Sequence, residues 1–133
     1  MGERVRTALR WLLAAAYLFV GYVHVTKPHV FMTIMPHWVP WPEAVIVATG
    51  WCEVAGAIGL MIPRTRWIAG VMLALYAVCV YPANVQHALI DLRSGTGLGW
   101  WYHGPRLLAQ PLIVWWALYA GGVTLRRSPS LRA

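Results

Sequence analysis

Four apolar runs, each close to the roughly 20 residues that cross a bilayer as a helix, alternate with short segments that hold nearly all of the charge. The runs are about 7–25, 44–62, 67–89 and 107–125. The second and third are joined by the basic turn Pro63-Arg64-Thr65-Arg66, which predicts an antiparallel hairpin. The other two connections are longer, and no segment alternates with the period of two that marks a strand. The pattern predicts one all-α domain over residues 1–133, an integral membrane four-helix bundle.

Composition strengthens this reading. Hydrophobic residues make up 59% of the chain and charged residues only 11%, more apolar surface than a soluble domain of this size can bury. A net charge of +7 raises the question of nucleic acid. The basic residues lie between apolar runs and not on one soluble face, which excludes that class. They act instead as topology signals. Arg4, Arg6 and Arg10 precede the first run, Arg64 and Arg66 form the middle turn, and Arg126, Arg127 and Arg132 follow the fourth. The opposite side holds only Lys27, Arg93 and Arg106. The positive-inside rule then predicts both termini in the cytoplasm. The long connections face outward, into the periplasm if the membrane is a bacterial inner membrane. Trp38, Trp41, Trp100, Trp101 and Tyr102 form an outer aromatic belt, and Trp11 and Trp67 an inner one. The first run resembles a signal peptide but continues to Val25 without a small-residue cleavage site, so an uncleaved first helix is expected. Cys52 and Cys79 fall inside apolar runs without a CxxC partner and are expected to be packed thiols.

Within these spans the polar residues gather at the outer end. His24 closes the first helix, Asn84, Gln86 and His87 close the third, and Arg106 and Gln110 open the fourth. Glu53 lies at the centre of the second, flanked by uncharged residues from Ala44 to Pro63. A charged group there costs about 2.5–3.5 kcal/mol on insertion scales, which makes it a functional candidate. It is expected at the floor of an outward-facing pocket. Gly50 and Ala57 share its helical face, with Gly56 beside it, and small residues let neighbouring helices approach. Pro82 deprives the Val78 carbonyl of its donor, which predicts a kink below Asn84. Val30, Phe31, Ile34, Met35 and Trp38 make one apolar stripe, read as a lid over the pocket mouth.

The segments GYVHVTKPHVFMTIMP (Gly21–Pro36), GWCEVAGAIGLMIPRTR (Gly50–Arg66), YPAN (Tyr81–Asn84) and RLLAQPLIVWWA (Arg106–Ala117) resemble the DoxX-like family of small four-helix membrane proteins. The resemblance covers nearly all of the chain outside its tails. It places His24, Glu53, Asn84, Arg106 and Gln110 on the polar positions of that family. Two positions depart from the family pattern: His87 replaces a usual methionine and Leu108 a usual proline. The resemblance implies a redox-associated protein, since a related membrane subunit belongs to a thiosulfate–quinone oxidoreductase.

Three functions from different classes follow. The first is a quinone-linked oxidoreductase, or the membrane subunit of one served by a soluble redox partner. His24 and Glu53 relay protons in it, and Asn84, His87, Arg106 and Gln110 hold the substrate. No GxGxxG, P-loop or CxxCH motif supplies another cofactor. The second is a metal-dependent membrane enzyme. It draws on His24, Glu53 and His87 as ligands from a pool that also holds His29, Met32, Met35, His37 and His103. Copper suits the imidazole and thioether groups, and iron or zinc the imidazole and carboxylate. The third is a carrier or assembly factor without catalysis. A homodimer is a further expectation for so small a bundle.

Overall fold

The computed structural model describes residues 2–95 and 97–123. Its elements are α1 (Glu3–Thr26), α2 (His29–Met32), α3 (Pro42–Met61), α4 (Arg66–Cys79), α5 (Tyr81–Ser94) and α6 (Trp100–Gly121). The described residues are helical with turns and contain no strand. Arg126, Arg127, Arg132 and the last two positions of the fourth apolar run lie outside the described residues.

Three helical segments are long and apolar enough to cross a membrane: Glu3–Thr26, Pro42–Met61 and Arg66–Ser94. The sequence pattern counted four. The remaining long helix, α6, has 22 residues but carries His103, Arg106, Gln110 and two prolines, which lower its hydropathy. The outer surface is apolar, with Phe19, Trp51, Ile68, Leu75, Leu108 and Leu112 all well exposed. A soluble monomer rarely leaves so much contiguous apolar surface open. Cys52 and Cys79 are exposed as well, which corrects the expectation of packed thiols. Cys79 lines an internal cavity.

The four long helical segments close a ring: α1 packs on α3, α3 on α4, α4 on α6 and α6 on α1. Glycine sets two close crossings. A Cβ on Gly50 would stand 2.7 Å from His24 Cβ and 2.9 Å from the Gly21 carbonyl oxygen. A Cβ on Gly70 would stand 2.8 Å from Gly121 Cα. Between them Leu13, Leu60, Leu73, Ala74 and Ala117 form the core, and Gly56 faces Leu73.

Arginines tie off the helix ends opposite the pocket. Arg10, only 4% exposed, donates from Nε to the Ala120 carbonyl at 2.9 Å. Arg66 Nε donates to the Leu60 carbonyl at 3.1 Å. Both carbonyls belong to last turns, which lack intrahelical donors, and a cation there also meets the negative end of the helix dipole. The Arg10 to Ala120 bond places the start of α1 beside the end of α6. Arg10→Leu is expected to lower stability by about 2 kcal/mol, because a charge-assisted bond is lost and a buried carbonyl is left open. A thermal melt in detergent checks this, and an unchanged midpoint would contradict it.

The break forecast at Pro82 falls at Val80, where α4 ends and α5 begins. The carbonyl that gains a side-chain partner is Ala77's, which accepts from Gln110 Nε2 at 2.6 Å. Helix α5 then continues past the apolar run to Ser94 and stops at Gly95 in the left-handed conformation, φ 65°.

Candidate functional site

A cavity of about 640 Å³ opens among α1, α3, α4, α5 and α6. Most of its wall is apolar. Phe31, Ile34, Met35 and Trp38 cover one side, four of the five residues in the stripe read as a lid. The fifth, Val30, is exposed instead. His24, Glu53, Asn84, Arg106 and Gln110 all line this one space, gathered there from four different helices. They form two separate polar groups.

The first group centres on Glu53, which is 2% exposed. The His24 ring reaches it from α1, with Nδ1 3.0 Å from Glu53 Oε2. The same nitrogen lies 2.8 Å from the Val20 carbonyl, one turn back on its own helix. One ring hydrogen cannot align with both oxygens, and among the described residues Oε2 has no aligned donor. From α4 the Tyr76 side chain lies near the carboxylate and Thr49. Phe31 fixes the imidazole by stacking on it, with centroids 3.8 Å apart and planes at 7°. The result is an acid and an imidazole in contact, with one carboxylate oxygen left for a further hydrogen.

The second group centres on Arg106. Its Nη2 donates to Asn84 Oδ1 at 2.6 Å and its Nη1 contacts His87 Nδ1 at 2.9 Å. Asn84 Nδ2 in turn donates to Gln110 Oε1 at 3.3 Å. The guanidinium carbon lies 5.4 Å from the centroid of the Tyr102 ring, in cation–π range.

His87 does not line the cavity. It stands behind Arg106 in a cluster with Asp91 and the fully buried His103. This divides the ligand set His24, Glu53 and His87. Glu53 and His24 meet at the cavity, whereas His87 belongs with two other residues. Asp91, Tyr76 and Thr49 are site residues that the sequence pattern did not single out. Asp91 carried one available signal, since it lies four residues after His87 and so on the same helical face. Tyr76 carried a weaker one: a phenol inside an apolar span needs a hydrogen-bond partner.

Residues 13–120 match the family described as Domain of unknown function (DUF8561). The chain belongs to that family. The match takes in all four segments that carried the DoxX-like resemblance, and no DoxX family matches. That assignment is therefore withdrawn, together with the family roles it lent to individual residues. Apolar runs, small residues beside an acid and a proline-broken helix are what any compact bundle around a buried carboxylate requires, so they do not discriminate a family. No curated protein matches the chain. No solved structure matches it either.

Proposed function

We propose that the protein is a four-span membrane bundle that binds a quinone-type molecule from the bilayer and serves quinone-linked redox chemistry, alone or as a membrane subunit. The observation that carries this reading is a largely apolar cavity with an acid–imidazole pair at one group and a fixed guanidinium at the other. A quinone head is flat and apolar apart from two carbonyl oxygens. Its reduction to the quinol takes up two electrons and two protons. Arg106, Asn84 and Gln110 offer donors for a carbonyl oxygen. Glu53 and His24 offer a place to hold and pass a proton. The electrons come from a soluble redox partner.

The contact of Arg10 with Ala120 supports a topology in which α1 and α6 begin and end on one side. The arginines on that side make it the cytoplasmic face. The cavity then opens toward the outer face of the membrane, the inner membrane in a bacterial host.

The test is titration of a short-chain quinone into the purified protein, followed by quenching of tryptophan fluorescence, since Trp38 and Trp116 line the cavity. Saturable one-to-one binding is expected. Unsaturable partitioning, equal to that of empty detergent micelles, overturns the reading. Glu53→Gln keeps the shape of the side chain and removes the proton site. It is expected to leave affinity within about 1 kcal/mol while slowing proton uptake on chemical reduction of the bound quinone, followed over time with a pH-indicator dye. Proton uptake at the wild-type rate would remove Glu53 from that role.

A further inference from the structure

The cluster behind Arg106 has a polarity of its own. Asp91 Oδ2 takes three contacts: His103 Nε2 at 2.9 Å, the Leu98 backbone N–H at 3.1 Å and His87 Nε2 at 3.4 Å. The turn that follows α5 folds over the carboxylate so closely that a Cβ on Gly97, φ 83°, would stand 2.6 Å from Asp91 Cγ. Asp91 is thus held from both helices and from the loop between them.

Two histidines and a carboxylate whose ligand atoms lie within 4.8 Å of one another invite a metal reading, and the second ring nitrogens argue against it. An imidazole that ligates a metal donates its other N–H to an acceptor. The other nitrogen of His87 faces a guanidinium, which only donates. The other nitrogen of His103 is buried and has no partner among the described residues.

The same contacts fix a tautomer. Because Arg106 donates, His87 Nδ1 must be bare, and the ring hydrogen of neutral His87 is on Nε2, the nitrogen 3.4 Å from Asp91 Oδ2. Among the described residues Arg106 makes no ion pair of its own. The Asp91 carboxylate stands one imidazole away. A guanidinium has five N–H donors, and a carboxylate in direct contact would take two of them in a fork. Charge compensation through His87 takes one.

We propose that Asp91 and His103 are positioning residues for the cavity: Asp91 holds the His87 ring from its Nε2–H side, His87 holds Arg106 through its bare Nδ1, and the remaining guanidinium donors serve an oxygen of the bound molecule. His103 acts by anchoring Asp91 from α6. The inference rests on the reading of the cavity as a quinone site for its ligand, but not for its tautomer.

The experiment uses the full chain in lipid nanodiscs with ¹⁵N-labelled histidine. The His87 signals are identified by their loss in His87→Gln. In the wild type, Nδ1 is expected to show the shift of a bare ring nitrogen and Nε2 that of a protonated one. In Asp91→Asn the tautomer is expected to stay, because Arg106 still keeps Nδ1 bare, while the His87 Nε2–H proton signal moves as its carboxylate neighbour is lost, and affinity for a short-chain quinone falls about tenfold, the loss of one hydrogen bond to a charged group. Helical circular dichroism stays unchanged. A protonated Nδ1 in the wild type overturns the proposal, as does a His87 Nε2–H signal that Asp91→Asn leaves unmoved. Stoichiometric zinc binding that Asp91→Asn abolishes also overturns it, in favour of a metal site. Should no quinone bind while the tautomer result holds, the functional reading falls and the positioning of Arg106 stands.

Discussion

Gly50→Leu is expected to unfold the bundle in mild detergent, with a loss of about 3 kcal/mol or more, at the upper end of what overpacking costs. The reason is geometric. A side chain at Gly50 meets His24 Cβ, the Gly21 carbonyl and Val25 at distances under 3 Å. Two of those obstacles are backbone or the first atom of a side chain, so no rotamer change relieves them. The helices must separate, and the same movement pulls His24 away from Glu53. Gly99→Ala is the control, because nothing stands within 4 Å of a Cβ there. Its stability is expected to fall by no more than about 1 kcal/mol, the cost of alanine as the poorer N-cap of α6, well short of the loss in Gly50→Leu. Thermal melts followed by circular dichroism separate the two. A Gly50→Leu protein that melts like the wild type would mean that α1 and α3 do not cross as described.

Arg106→Ala is expected to weaken quinone binding about a hundredfold, which corresponds to ~2.7 kcal/mol at 25 °C, within the range for hydrogen bonds made by a charged donor. It leaves Asn84 Oδ1 and His87 Nδ1 facing a space where a cation stood. Arg106→Lys separates charge from geometry. An ammonium keeps the charge but lacks the planar fork that reaches Asn84 and His87 together. About a tenfold loss is expected for it. The same fluorescence titration reads both variants. Equal affinities for wild type and Arg106→Ala would remove Arg106 from the site.

The positions of the polar residues were legible in the sequence for a physical reason. A polar side chain within an apolar run must turn toward other polar groups, because lipid offers it no partner. His24, Glu53, Asn84, Arg106 and Gln110 therefore converge on one cavity, as their places in the runs implied. Asp91 escaped notice because the apolar run ends near Leu89 while the helix goes on to Ser94. Its last turn is held by contacts to α6 and to the loop, which hydropathy does not register. The cysteines were misplaced because an apolar run does not say which of its positions are covered: Cys79 lines the cavity and Cys52 is exposed. The choice between DUF8561 and a DoxX-like identity was beyond the pattern, since both meet the same packing demands. The grouping of the histidines was beyond it too, because the meeting of His87 with His103 depends on how α5 leans on α6.

The interruption at Val80 divides the cavity wall mechanically. Tyr76 lies before it, on a helix locked to α6 by the close approach of Gly70 and Gly121. Asn84, His87 and Asp91 lie after it, on a segment that packs on α6 and α4. Val80 thus separates the partner of the carboxylate on this stretch of chain from every α5 partner of the guanidinium. The two polar ends of the cavity are therefore anchored to different packing surfaces, so that a change in how α5 sits on α6 bears on the guanidinium end alone.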